Sequence, residues 1–487
     1  MHLLKHKNIW IEDLLESTMI KYDASRAGDG KTTRSIQEIR QNPNVPTIYC
    51  CPSKALCLEI MKNHSDIDWQ LYTMDTVGLR CSVSGSLQKY LERTPNHPPI
   101  LCTHEGFKHF TDWTLFQNET LYFDEDFDPS LLVSLQFDDN FKIGTREMCL
   151  NLLKEMSTME DGNENLLVDK RYTSKIHFKP KLGVHCRINS IALGKSNDAF
   201  ESLFHEIATH LINPNYDVWC LRTDYEDFCS GLKSRIHFSA DFCLTKSFSS
   251  FKSVTVLSAY FTQTMMYSRL NSEVELTPTT GSKWSEHSNK INIHYCFDKE
   301  LWSRSYMNQS GHLNEYLRKS SNITGENTLI QSNKDVAFPK ALSSSTVIPS
   351  NCHGLNNYSS HQNVILSGAY NLSPDFIRLY RTRFDDASEA KREIDQLVKD
   401  RQTLGAYQAL MRSAIRTGSN NVTVCVPTSG MAKHLKDFFP NANLIPMKGF
   451  KEKKEAMTST ERKQKQRKRA LIKDSVDKCH ETSKGST

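Results

Sequence analysis

Residues 19–33 read Met-Ile-Lys-Tyr-Asp-Ala-Ser-Arg-Ala-Gly-Asp-Gly-Lys-Thr-Thr. The apolar run Met19 to Tyr22 predicts a buried strand, and Arg34 to Ile39 predicts a helix. Between them lies a glycine-rich loop ending in Lys-Thr-Thr. In that setting, backbone N–H groups freed by glycine can face phosphate oxygens at a helix start. Ala27, Gly28, Asp29, Gly30, Lys31, Thr32 and Thr33 are therefore candidates to hold the phosphates of ATP. Lys31 would reach the β- and γ-phosphates, and Thr32 would help hold Mg²⁺. Ser25 stands where the usual P-loop pattern has glycine, so the motif is a variant.

About ninety residues downstream the chain reads Leu121-Tyr122-Phe123-Asp124-Glu125-Asp126-Phe127. An apolar strand here delivers two carboxylates at its C-terminal end, where parallel sheets bind ligands. Asp124 is the candidate Mg²⁺ ligand, acting through water. Glu125 is the candidate to orient or deprotonate an attacking water.

Further buried-strand runs are Thr47 to Cys51, Ile100 to Thr103 and Val254 to Ala259. The alternation breaks at about 129–250, which reads as an insertion carrying an amphipathic helix over Ala199 to Leu211. Thr277 to Asn289 is polar and reads as a linker. Strand runs then resume at Ile291 to Cys296, Thr328 to Gln331, Thr346 to Ile348, Val364 to Leu366 and Val422 to Val426. The expected fold class is α/β, with two parallel-sheet lobes in tandem. The expected boundaries are 1–275 for lobe one, 276–290 for the linker, 291–447 for lobe two and 448–487 for a tail.

The 487 residues correspond to about three domains at roughly 150 residues each. Hydrophobic residues are 38% and charged residues 24%, which excludes a wholly disordered chain. No apolar run is long enough to predict a membrane span, and Met1 to Leu15 has no signal core, so a cytoplasmic protein is expected. The 14 cysteines form no C-x-x-C pair and read as reduced, mostly buried thiols. From Lys448 onward there are 13 Lys/Arg and six Asp/Glu, a balance of +7. With +5 overall, the rest of the chain is near −2. The cationic part is thus a tail, with six cations between Arg462 and Arg469. Such a segment can neutralise phosphates, and it can equally be a solvated end.

Tyr407 to Arg416 places Gln408, Arg412 and Arg416 at i, i+4 and i+8, one face if the segment is a helix. Two guanidiniums aimed at one spot suit a γ-phosphate whose charge spreads in the transition state.

The order of these pieces resembles a superfamily 2 helicase of the DEAD/DEAH-like type, and more closely the divergent helicases of phages and mobile elements. Ala24 to Thr33 resembles motif I, Cys51 to Leu56 motif Ia, and Asp124 to Phe127 the D-E-x-x motif. Thr103-His104-Glu105-Gly106 and Leu257 to Thr262 resemble the T-H-E segment and a stretched motif III. Thr328 to Lys334 resembles motif IV, and Cys352 to Tyr358 motif V, with His353 in place of arginine. Gln408 to Arg416 resembles motif VI, with Met411 replacing a glycine and the last arginine one residue late.

The resemblance implies two RecA-like lobes of the P-loop NTPase type with ATP between them. Gln408, Arg412 and Arg416 join Lys31 and Glu125 in catalysis. Ser53, Lys54, Thr103 and Asn356 become candidates for nucleic-acid backbone contact. Ser258 and Thr262 become candidates for coupling. It implies a helicase or translocase acting on nucleic acid, with single-stranded or forked DNA as the favoured partner and replication or repair proteins as further partners. The departures at Ser25, His353 and Met411 leave a second reading open, an ATP-gated binding module that does not unwind.

Two tempting features carry less. In His205-Glu206-Ile207-Ala208-Thr209-His210 the histidines are i, i+5, about 140° apart on a helix, which is wrong for a zinc-protease pair. Cys149, Cys186, Cys220, Cys229 and Cys243 are too irregular for an iron–sulfur cluster.

Overall fold

The computed structural model describes residues 19–447, apart from 74–75, 77–82, 111, 138–142, 161–173, 181, 193–198, 283–285, 309–310, 326, 334–335, 351, 353–357, 371, 385 and 420. The tail cations from Arg462 to Arg469, together with His353 and Asn356, lie outside the described residues. The described residues up to Ile445 belong to one compact unit.

The first sheet is built from β1 (Met19–Asp23), β2 (Thr47–Cys51), β3 (Gln70–Tyr72), β4 (Ile100–Thr103) and β5 (Thr120–Asp124). The chain then leaves this sheet. It forms β6 (Ser130–Gln136), β7 (Ser157–Glu160), β8 (Lys175–Phe178), β9 (Tyr216–Leu221) and β10 (Arg235–Phe242). It returns with β11 (Ser253–Leu257) and β12 (Leu276–Pro278). The first sheet has the order β12-β1-β11-β5-β2-β4-β3 and all its pairings are parallel. The interruption forms its own five-stranded sheet, β6-β10-β9-β8-β7, with antiparallel pairings.

Lobe two carries β13 (Ile291–Phe297), β14 (Thr328–Ser332), β15 (Thr346–Pro349), β16 (Asn363–Leu366), β17 (Val422–Thr428) and β18 (Asn443–Pro446). Their order is β15-β14-β16-β17-β13-β18, and the first five strands pair in parallel. The expected class therefore stands: α/β, with two large parallel sheets arranged as RecA-like lobes. The sequence reading missed β3, β12, β18 and the strands of the insertion.

Physical reasons for these elements are local. The central strands are apolar runs buried on both faces, as in Thr47–Cys51, where every residue is buried. Helix starts carry side-chain caps: Ser53 accepts from the Leu56 N–H, Ser373 from Phe376 and Asp386 from Glu389. Under lobe one, Phe107, Phe110, Phe116, Phe123, Phe248 and Phe251 form one aromatic core with Trp113. Burying each such ring contributes about 1.5–3 kcal/mol. That core fixes the C-terminal end of β5, where the acidic pair sits.

The insertion also packs on lobe two. Trp219 and Leu221 of β9 meet Leu379 of helix Pro374–Arg381. Arg378 pairs with Asp224 and Arg383 with Asp241 across that contact.

Candidate functional site

Asp23 ends β1 and is buried. Its Oδ1 accepts from the Ser25 N–H at 3.0 Å and from the Ser25 hydroxyl at 2.5 Å. Its Oδ2 accepts from Arg34 at 2.7 Å. These hydrogen bonds and the Arg34 guanidinium outweigh burial and hold the Asp23 carboxyl below its usual range. Ser25 thus has a structural use: its hydroxyl ties the loop to the strand it leaves.

The loop then turns through Gly28 and Gly30, at φ 93° and 76°, a region that favours glycine. A side chain at Gly28 would also approach Arg416, whose Cγ lies 3.6 Å from where a Cβ would stand. Helix Lys31–Gln41, with Gly30 as its N-cap, starts three residues earlier than the sequence reading had it. Lys31 Nζ donates to the carbonyls of Ser25 at 2.8 Å and Arg26 at 3.1 Å. Burial pulls its pKa down, against the pull of Asp124, Asp23 and Glu125.

Asp124 ends β5 and is buried. Its Oδ2 accepts from the hydroxyls of Thr32 at 3.2 Å and Tyr49 at 3.0 Å. Burial and the neighbouring Glu125 charge push its pKa up to about 7, although the hydroxyls and Lys31 oppose the shift. The ring of His104 stacks on Phe123 at 4.3 Å, and its Nε2 lies 2.9 Å from the Asp124 carbonyl oxygen. Glu125 sits at φ 66°, left-handed for a residue with a side chain, which costs about 1–3 kcal/mol. Its N–H is held by the Leu257 carbonyl at 3.0 Å.

Lobe two supplies the opposite wall. Helix Ala387–Leu410 ends before the arginines, so the expected single helical face through Arg416 is not formed. Met411 is the C-cap, Arg412 lies in the following turn and Arg416 in the short 3₁₀ segment Ala414–Thr417. The three side chains nonetheless meet one cavity of about 210 Å³. It is lined by Ala27, Gly28, Gly30, Lys31, Thr32 and Thr33, by Asp124 and Glu125, and by Gln408, Arg412 and Arg416. Asp29 is not among its lining residues; its carboxylate pairs with Arg26 at 2.7 Å. Arg412 lies 3.4 Å from Glu125 Oε1. Burial and the charge of Arg412 pull the pKa of Arg416 down.

Sequence reasoning missed a second set of contacts between the lobes. The Ala27 N–H donates to the Tyr407 hydroxyl at 3.1 Å, and His287 Nε2 lies 3.0 Å from the same hydroxyl. Burial pushes the pKa of His287 down to about 4, so its ring is neutral and can accept the Tyr407 proton. The Ala24 N–H donates to Ser282, and Arg26 to the Glu286 carbonyl. The linker therefore grips the loop. Tyr49 and Tyr407 look like core aromatics in sequence, and nothing in their spacing marks them; His104 is marked only as part of the T-H-E segment.

The coupling candidates diverge. Ser258 is buried and donates to Asp126 at 2.7 Å, beside the acidic pair. Thr262 is exposed and does not line the cavity. In that segment it is Tyr260 that reaches lobe two, 4.9 Å from the Phe438 ring.

The nucleic-acid candidates are also split. Ser53 lines a groove of about 600 Å³ between the lobes, with His104, Tyr370, Arg401 and Gln408. Lys54 is exposed. Thr103 is committed to capping helix His104–Lys108.

Two observations fit Mg²⁺ and a nucleotide. Asp124 is a buried carboxylate beside a second carboxylate, and a divalent cation would relieve that pairing. Mg²⁺ is commonly held by one or two carboxylates plus phosphate oxygens. The buried Gln408 Oε1 has no hydrogen-bond partner among the described residues and lines the cavity, an acceptor suited to a water.

The chain matches no protein-family model and no curated protein. Among solved structures it is similar to one named "XPD_APO", with 12% identity, a TM-score of 0.44, and 91% of this chain and 100% of that one covered. It is similar to one named "XPD_Helicase", with 12% identity, a TM-score of 0.47, and 91% and 98% covered. A third is Xpd4 of S. tokodaii, with 10% identity, a TM-score of 0.47, and 91% and 100% covered.

His205 Nδ1 lies 2.9 Å from the Ile191 carbonyl oxygen, and His210 packs on Tyr216. The cysteines among the described residues are free, and most are buried. No described helix is long and apolar enough to cross a membrane.

Proposed function

We propose that this protein hydrolyses ATP in the cleft between its lobes and uses the cycle to move along or unwind nucleic acid, with DNA the favoured track. The observation that carries the reading is the single cavity lined by the glycine loop, both acidic residues and three polar side chains of the opposite lobe.

In this reading the N–H groups of Gly28 to Thr33 hold the phosphates, and Lys31 supplies a fixed cation. Thr32 and Asp124 hold Mg²⁺, which when bound neutralises charge on the phosphate oxygens. Glu125 takes the proton of the attacking water, and Gln408 orients that water through its amide oxygen. Arg412 and Arg416 stabilise charge as it develops on the transferred phosphoryl group. Ser53, Lys54, Thr103 and Asn356 would contact the strand backbone, the 448–487 tail would add phosphate contacts, and Ser258 and Thr262 would couple the nucleotide state to the grip on the strand. The reading keeps the divergent phage or mobile-element type that the sequence resembles, with replication or repair proteins as further partners.

The Arg412–Glu125 ion pair favours a second reading, an ATP-operated gate without unwinding. That pair neutralises the catalytic base until a nucleotide draws the arginine away. Phosphate release with and without single-stranded DNA tests the first reading, and stimulation by the strand is expected. Strand displacement separates the two: a motor unwinds a fork, and a gate only binds it.

A further inference from the structure

A cavity of about 680 Å³ opens where the insertion and both lobes meet. The insertion contributes Lys175, Trp219 and Lys246, lobe one Trp113 and Arg269, and lobe two Arg383. It shares no lining residue with the nucleotide cavity. Its size is that of small-ligand pockets, about 300–1,000 Å³.

The charge in its wall is unbalanced. Arg269 and Arg383 both turn to Asp241 Oδ2, and both donate to the Ser130 hydroxyl at 3.1 Å. Asp241 also accepts from Trp219 Nε1 at 2.7 Å and from Ser239 at 2.9 Å. Two guanidiniums thus share one carboxylate that other donors already occupy. The buried Arg383 Nε has no acceptor among the described residues. Burial and the charge of Arg383 pull the pKa of Arg269 down, which is the mark of an under-compensated cation.

The other acids of the lining do not restore the balance. Asp217, 3.0 Å from His177, and the exposed Glu273, which acts on Arg269, make with Asp241 three acids against the four Lys and Arg of the lining. Lys175, its ammonium 5.0 Å from the Trp219 ring centre, and the exposed Lys246 add two further cations. Beside these cations the wall is apolar, at Trp113, Phe242 and Leu244.

An anion with a flat apolar body satisfies both halves. We propose that this junction cavity binds a nucleoside phosphate, with its phosphate at the Arg269–Arg383 pair and the lysines, and its base against the Trp113 and Leu244 wall. The source is either a free mononucleotide or one unit of a single strand, because the recognised chemistry is the same. The proposal does not require hydrolysis in the cleft.

The test uses the full chain carrying Lys31→Ala, which removes the cation of the glycine loop. Adenosine 5′-monophosphate and a short oligothymidylate are titrated separately, and tryptophan fluorescence is followed, since Trp113 and Trp219 form part of the wall. Lys246→Glu, at an exposed position, and Thr245→Trp, at a half-buried lining position, are added singly to that background. Saturable quenching by either probe is expected. It should weaken about tenfold in Lys246→Glu, the worth of one charged contact, and disappear in Thr245→Trp, which fills the cavity. Quenching by the mononucleotide alone assigns a soluble ligand, and quenching by the oligonucleotide alone assigns a strand. No saturable quenching with either probe, or equal binding in all three proteins, overturns the proposal. Phosphate release by Lys246→Glu in the otherwise unchanged chain should stay at the unsubstituted rate, so failure here is distinguishable from failure of the cleft reading.

Discussion

Asp23 and Asp124 end strands that flank β11, both are buried, and both face the same loop. Their surroundings differ. Asp23 accepts from a guanidinium, a hydroxyl and a backbone N–H, and its carboxyl is held below its usual range. Asp124 has two hydroxyl donors and the Lys31 cation on one side and a carboxylate neighbour on the other, and burial together with that neighbour pushes its pKa up to about 7. The first carboxylate is spent on holding the loop. The second is left under-compensated, as a cation ligand should be.

The comparison breaks most visibly in turnover. Asp124→Asn and Glu125→Gln should each lower phosphate release by about 10²–10⁴, the usual loss of one positioned catalytic group. Asp23→Asn should lower it far less at a temperature where the protein is folded. Equal losses at all three positions in a steady-state assay would erase the distinction.

Stability sharpens it with opposite signs. A folded pKa of about 7 against an ordinary 3.8 means that folded Asp124 keeps a proton that the unfolded chain has lost. Stability in metal-free buffer therefore falls between about pH 4 and 7, and the penalty is complete above that. Asp124→Asn should then raise stability at pH 8 by at most about 4 kcal/mol, from roughly three units at 1.36 kcal/mol each. The gain should vanish at pH 4. Denaturant unfolding at both pH values checks this, and a loss of stability at pH 8 would refute it.

Asp23 has the reverse sign. Its lowered pKa contributes stability above the unfolded value, and that stability is lost as pH falls through the folded one. Asp23→Asn should cost about 1–3 kcal/mol at neutral pH, the range for losing hydrogen bonds to a charged group. Thermal unfolding at neutral pH reads it; an unchanged midpoint would mean that Arg34 and Ser25 hold the loop without it.

Much of this was legible in the sequence, for a physical reason. The central strands of the parallel sheets, such as Thr47–Cys51 and Thr328–Ser332, are buried on both faces and read as short apolar runs, whereas the strands Gln70–Tyr72, Leu276–Pro278 and Asn443–Pro446 are partly exposed and do not. Glycine and the Lys-Thr pair then mark where the first helix begins. The antiparallel insertion was opaque because its strands lie between helices and some are short, as in the four-residue Lys175–Phe178, whose alternation spans only two residues per face. The arginine register was readable only as a spacing. The sequence does not announce that the long helix stops at Leu410, and the turn and 3₁₀ segment after it bring Arg416 against Gly28. Tyr49 and Tyr407 were hidden because a buried tyrosine looks like packing until its hydroxyl is seen to meet Asp124 or the Ala27 N–H.

The central claim is that the two lobes share one reaction, and Arg412 tests it most directly because it comes from the lobe without the glycine loop. ATP affinity and phosphate release should be measured together for Arg412→Ala and Arg416→Ala. For Arg412→Ala the expected result is near-unchanged affinity with turnover lower by about 10²–10³, the loss typical of one donor to developing charge. Full activity in both variants would contradict a shared site, and loss confined to Arg416→Ala would move the transition-state contact to the 3₁₀ segment.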